Sequence, residues 1–355
     1  MVSRGKTKKG GLKMRPKKNA GMRKILSLLL IATFIAGVTG IALAKDDYPS
    51  RPLTIYVGYK IGATTGLTAT VLGKILEESM GQPVAIVDKS GATATVAIGT
   101  VARLPADGYS MAVGSYSSIM TTPYQYDLPF DTKKDVEPLY AYTVYHSGFA
   151  VKDDSPWKTV GEYLDWAKAH PGEAKWGSAG AMTFGHLVME YLGYLKKIDW
   201  RPIGCKGGAA STKLLLGNQT NGIIMSSSQV PLIKNGQLRY VLDFAHPQDP
   251  PIFAQFVKPK DLKNCQTLEQ IGHPELAFVN PVIVYVRKGL PPDVRKKLVD
   301  AIQKATYDKR LAKVTDKFSM PVLHNGGDEF FAKTRGPLEK LTKKLMTEMG
   351  RTKKK

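Results

Sequence analysis

The sequence predicts an α/β fold in two domains, each a sheet flanked by helices. Three observations lead there. At 355 residues the chain is longer than one ordinary domain needs, and it is 43% hydrophobic and 9% aromatic, enough for real cores. Short β-branched runs alternate with helical patterns. No repeat and no low-complexity stretch interrupts them after residue 45. A disordered chain, a collagen-like repeat and a disulfide-stapled miniprotein are excluded by the same composition.

The first 44 residues stand apart. Arg23 and Lys24 precede a charge-free apolar run over 25–38, and Ala42-Leu43-Ala44 leads into the polar Lys45-Asp46-Asp47. A basic front, a short apolar stretch and a small-x-small end read as a secretory signal, cleaved after Ala44. Translation could equally start at Met22. A retained membrane anchor is the alternative, but an apolar run of about 14 residues, or roughly 20 if stretched to Ala44, is marginal for a bilayer.

Next come a strand over 53–57, a helix over 68–80 with Val71, Leu72, Ile75 and Leu76 inward, and a strand over 84–87 after the stop Gly81-Gln82-Pro83. A helix over 93–103 and a strand over 110–113 follow. Strand, helix, strand, helix, strand at this pitch predicts a parallel sheet covered on both faces. A second cycle predicts strands at 148–151, 174–177 and 222–225 and helices at 160–169, 184–195 and 211–216. Val294, Leu298 and Ile302, then Leu338, Leu341, Leu345 and Met349, mark amphipathic helices near the end.

The formal net charge of +21 suggests nucleic acid until it is located. Ten of the 51 bases lie in residues 1–44, with no acid there. Residues 45–286 are neutral, and the remaining excess of +11 falls in the helices after 287, where it reads as a solvated face. No nucleic-acid partner is expected.

Motifs for chemistry are missing. Gly5-Lys6-Thr7 lacks the leading glycine of a phosphate loop, there is no G-x-G-x-x-G, G-x-S-x-G or H-E-x-x-H, and the six histidines are scattered. No enzyme, cofactor or metal is expected. Cys205 and Cys265 could pair in an oxidising compartment, but two unpaired thiols are an equal alternative, because sequence spacing carries no geometry.

What remains is a set of small-residue loops, each after a strand: 58–66, 90–95, 114–118, 177–183 and 206–209. In α/β sheets such loops gather at the carboxyl ends of strands, where ligands bind. Glycine admits close backbone, hydroxyls form hydrogen bonds, and free N–H groups at helix starts favour anions. For any one loop, a good cap or tight turn explains the composition as well.

Several segments resemble the solute-binding receptors of tripartite tricarboxylate transporters, also called Bug receptors. They are Tyr48-Pro49-Ser50-Arg51-Pro52-Leu53-Thr54, Gly81-Gln82-Pro83-Val84, Ala106-Asp107-Gly108-Tyr109, Leu128-Pro129-Phe130-Asp131, Lys206-Gly207-Gly208-Ala209 and Gly236-Gln237-Leu238-Arg239. The resemblance implies a periplasmic, type II (Venus flytrap) binding protein that closes on a small organic acid and delivers it to the membrane permease subunits of the transporter. It implies domain 1 over 45–147 plus 277–355, domain 2 over 148–276, and a monomer. A ligand-sensing subunit of a membrane signalling kinase is the alternative use of the same pocket. The pocket positions depart from the family. Its first loop, usually V-P-F-x-x-G-G-x-x-D, has Gly58 for Pro, Ala63 for the second Gly and Gly66 for Asp; its second, usually rich in G-A-G-G, reads Gly91-Ala92-Thr93-Ala94.

On that frame, Tyr59 is expected to shape the pocket, with Gly62, Ala63, Thr64 and Thr65 supplying backbone and hydroxyl donors. Ser115 and Ser117 add hydroxyls from the first domain. Ser178, Thr183 and His186 do so from the second, with Ser227 on a later loop; His186 matches a histidine common in the family. Lys206 is the charged candidate of domain 2, against a solvated surface lysine. Lys60, if inward, favours a di- or tricarboxylate.

Overall fold

The computed structural model describes residues 48–245 and 265–352. The segment expected to direct export lies outside them, as do the last three lysines. The opening follows the expected alternation: β1 (Leu53–Val57), α1 (Thr64–Met80), β2 (Val84–Asp88), a 3-10 turn at Ala92–Ala94 running into α2 (Thr95–Val101), β3 (Ser110–Ser115), the short α3 (Ser117–Met120) and β4 (Val136–Val144). The second cycle holds β5 (Gly148–Lys152), α4 (Val160–Ala169), β6 (Lys175–Ser178), α5 (Phe184–Lys196), β7 (Arg201–Gly204), α6 (Gly208–Leu216), β8 (Gly222–Met225), α7 (Val230–Lys234), β9 (Leu238–Asp243) and β10 (Gln266–Thr267). β11 (Pro281–Arg287), α8 (Pro292–Ala305), α9 (Lys309–Asp316) and α10 (Asp328–Glu348) complete it.

The sheets correct one expectation. Neither is wholly parallel. The first runs β2-β1-β3-β11-β4 and the second β10-β9-β5-β8-β6-β7. β1 is parallel to β2 and β3, but β11 enters antiparallel between β3 and β4. In the second sheet, β5 is antiparallel to both β8 and β9. The cause is long-range. β11 returns from the second sheet and slots into the first, and Pro281–Val286 are buried at every position, as a central strand requires.

Hydrophobic periodicity places the layers. Leu72, Leu76, Leu298 and Ile302 press on one face of the first sheet, against Ile55, Val282 and Val284. On its other face Ile98, Tyr285, Leu338 and Leu341 begin a core that continues through Phe331, Phe184, Phe278 and Phe244 into the second sheet. The halves are thus joined by packed apolar surface as well as by chain.

Two segments cross between the sheets, and they are tied together. The Tyr145 N–H donates to the Asn280 carbonyl (2.9 Å), Phe244 to Ser147 (3.2 Å) and Phe278 to Phe244 (3.1 Å). α10 is a third connection. At its start the Gly326 carbonyl accepts from the Ala141 N–H on β4 (2.7 Å). At its end Glu348 accepts from the Tyr191 hydroxyl on α5, and Arg351 pairs with Glu190 of the same helix.

Candidate functional site

On the first sheet, β1 ends at Val57 and the chain turns through 58–63 into α1. Gly62 and Ala63 are exposed at the helix start, whereas Thr64 and Thr65 are buried. The Tyr59 hydroxyl meets Ser115 Oγ (2.9 Å), which meets Ser117 Oγ (2.9 Å), so three of the expected groups form one hydrogen-bonded chain. Thr65 Oγ1 is bonded to the Tyr145 hydroxyl at the crossing segment, and Thr68 Oγ1 to the Tyr142 hydroxyl (2.9 Å). Burial pushes the Tyr59 and Tyr145 phenols above their ordinary range, so both stay neutral and keep a proton to donate.

On the second sheet, Ser178 at the end of β6 is fully buried. Its Oγ lies 2.7 Å from His186 Nδ1 and within 3.3 Å of the Gly180 N–H. His186 Nε2 stands 3.4 Å from Glu190 Oε1, and Arg351 Nη2 pairs with that same oxygen. Both ring nitrogens of His186 are therefore engaged inside the protein, and its ring packs edge-on to Trp176. Thr183 Oγ1 donates to the Gly180 carbonyl (2.9 Å) and leaves the start of α5 uncapped. Ser227 is fully buried, and its Oγ accepts from the His146 N–H (2.7 Å) at the crossing.

These loops touch one another. Gly91 N–H donates to Gly58 O, Cys205 N–H to Ser178 O and Gly207 N–H to Ala179 O. Across the halves, Thr121 Oγ1 donates to the Met182 carbonyl, and Thr93 Oγ1 lies 3.8 Å from the position of a β-carbon on Gly180. Four helices begin here: α1 after Ala63, α2 after Ala94, α5 after Thr183 and α6 after Gly207. None has a side-chain cap or an acid in its first turn. Their first-turn N–H groups have no intrahelical acceptor, and the helix dipoles put partial positive charge at the same ends.

The two lysines are both exposed. Lys60 Nζ reaches Asp88 (3.6 Å) at the end of β2, and Lys206 lies just before α6. Attraction for an anion at these loops therefore rests on amides and hydroxyls rather than on an enclosed cation. Sequence reasoning missed Thr93, Thr121 and Tyr145; only the small-residue context of Thr93 signalled it, because the partners of the other two lie far away in sequence. Among the described residues no three His, Cys, Asp or Glu side chains gather as a metal site would. Both cysteines are free. Cys205 follows β7 and Cys265 precedes β10, at opposite edges of a six-stranded sheet. Five strand spacings put them roughly 24 Å apart, far beyond disulfide reach.

The family model for the tripartite tricarboxylate transporter family receptor matches residues 68–334. A protein of Cupriavidus necator, the UPF0065 protein in the gbd 5' region, is 30% identical over 272 residues, covering 76% of this chain and 80% of that one. Among solved structures, the periplasmic binding protein BugD superposes with a TM-score of 0.73 at 22% identity, covering 86% of this chain and all of that one. MatC from Rhodopseudomonas palustris with bound malate gives 0.67 at 20% identity, covering 86% and 98%. No helix among the described residues is long and apolar enough to cross a membrane.

Proposed function

Because the chain belongs to the tripartite tricarboxylate transporter receptor family, a family of periplasmic solute-binding receptors and not of enzymes, we propose that it captures a small organic acid between two domains and delivers it to the permease of such a transporter. The domains are 45–147 with 277–355, and 148–276. The observation that carries the reading is the meeting of four open helix starts from both sheets at one cluster of buried hydroxyls. An anion there meets N–H groups that no side chain caps, at ends where dipoles favour negative charge. Malate bound in MatC, a protein of similar fold, supports an acid of this kind.

Tyr59, Ser115, Ser117, Thr64 and Thr65 face the acid from one side, and Ser178 and Thr183 from the other. His186 positions Ser178 rather than touching the solute. Export with cleavage after Ala44 brings the receptor to the periplasm. In thermal-shift and calorimetric titrations with mono-, di- and tricarboxylates, at least one acid should raise Tm by several degrees through selective binding to the folded state. A panel without any shift at millimolar concentration overturns the reading. Delivery is checked by deleting the gene and measuring uptake of that acid.

A further inference from the structure

Three consecutive residues after β2, Ala92, Thr93 and Ala94, have φ of 45°, 55° and 68°. Side chains other than glycine visit this region rarely and singly, because their Cβ crowds the next carbonyl; a β-branched residue fits it worst. Such a run persists only where its surroundings force it.

The forcing contact lies one residue further on. Ala94 is fully buried, and its methyl fills a notch between Gly58 and Gly114. A β-carbon on Gly58 would stand 2.1 Å from the Ala94 Cβ, and one on Gly114 2.9 Å from it. The two glycines make the space, and the methyl locks the turn. With the turn locked, Thr93 is held toward the second half, where its Oγ1 approaches Gly180. Gly180 is fixed in turn, because its carbonyl accepts from Thr183 Oγ1 and its N–H meets Ser178 Oγ. A side chain of one half thus abuts a braced loop of the other, beside the open start of α5.

We propose that Thr93 is a specificity-determining residue that closes one end of the solute space and restricts the receptor to short, compact diacids. The inference rests on the carboxylate-receptor reading given above. Glycine at 93 could hold the same φ without strain but would leave that end open to a longer chain.

The test titrates malonate, succinate, glutarate and adipate, a series of growing length, into the purified protein and its Thr93→Gly and Thr93→Val variants by calorimetry. The unaltered protein should prefer one of the two shortest acids over adipate by about tenfold or more, and Thr93→Gly should bring adipate within about threefold. Thr93→Val, which keeps the bulk and loses the hydroxyl, should retain the original preference. Without solute, Thr93→Gly should melt roughly 2 °C higher as strain is released. An unchanged ratio in Thr93→Gly, a Thr93→Val variant that behaves like it, or a parent protein that prefers adipate overturns the proposal while leaving the receptor reading intact. Binding of none of the four diacids, with another acid of the wider panel bound, overturns the proposal alone; binding of no acid of that panel sinks both.

Discussion

Helix starts in this molecule come in two kinds. The four at the loop cluster, α1, α2, α5 and α6, carry no capping side chain and no acid in the first turn. Among the described residues, the other four of seven residues or more are provided for: Thr159 caps α4, which also has Glu162, Asp293 opens α8, Asp308 caps α9, and Asp328 and Glu329 open α10. A missing cap costs about 1 kcal/mol. The difference teaches that stability was left out at one place, where a guest anion can supply it, and retained elsewhere.

The largest test concerns the acid that α5 does carry. Glu190 sits away from the open start, is 8% exposed, and leans on Arg351; one of its oxygens has no partner. Arg351→Ala leaves that carboxylate buried without its cation. It should cost about 3 kcal/mol of stability, read by urea unfolding, and should weaken acid binding through the added charge behind Ser178.

Turning one kind of start into the other gives the next effect. Ala63→Asp places a carboxylate where α1 lacks a cap. Solute-free protein should gain about 1 kcal/mol, while affinity for the acid should fall by about a hundredfold as like charges meet. Thermal melts and calorimetry on one preparation separate the two outcomes; gained stability with unchanged affinity would remove α1 from the site.

The converse change is milder. Thr159→Ala removes the hydroxyl that accepts from the Glu162 N–H. It should lose about 1 kcal/mol with no change in solute affinity, because α4 does not reach the loop cluster.

The smallest effect is a pH dependence. Arg310 holds the Asp308 carboxyl down at about 2, from an ordinary value of 3.8. A carboxyl depressed in the folded state stabilises fully above its unfolded value and loses that contribution as pH falls through the folded one. Melting temperature should therefore drop between pH 4 and pH 2 less steeply in Asp308→Asn than in the parent.

How much was readable beforehand follows the range of each interaction. β1, α4 and β8 fall within the bounds expected from periodicity, because strand alternation and helical spacing are local. The insertion of β11 between β3 and β4 was not readable, since it pairs Val284 with Val113 from a remote part of the chain. At the site, the hydroxyl-rich loops were visible as composition. The bracing of Glu190 behind His186 was not, because Arg351 arrives from the far end of the chain. Tyr145 carried no local mark either; its hydroxyl finds Thr65 only after β4 has been laid into the sheet.

α10 has a mechanical consequence. Two tied crossings alone would let the halves bend and also twist about the ribbon they form. A 21-residue helix, about 31 Å long, tied to β4 at one end and to α5 at the other, restrains both. Trimming the chain before Glu348 removes the tie to α5, so fluorophores placed on the two sheets should then report a broader spread of distances than in the parent.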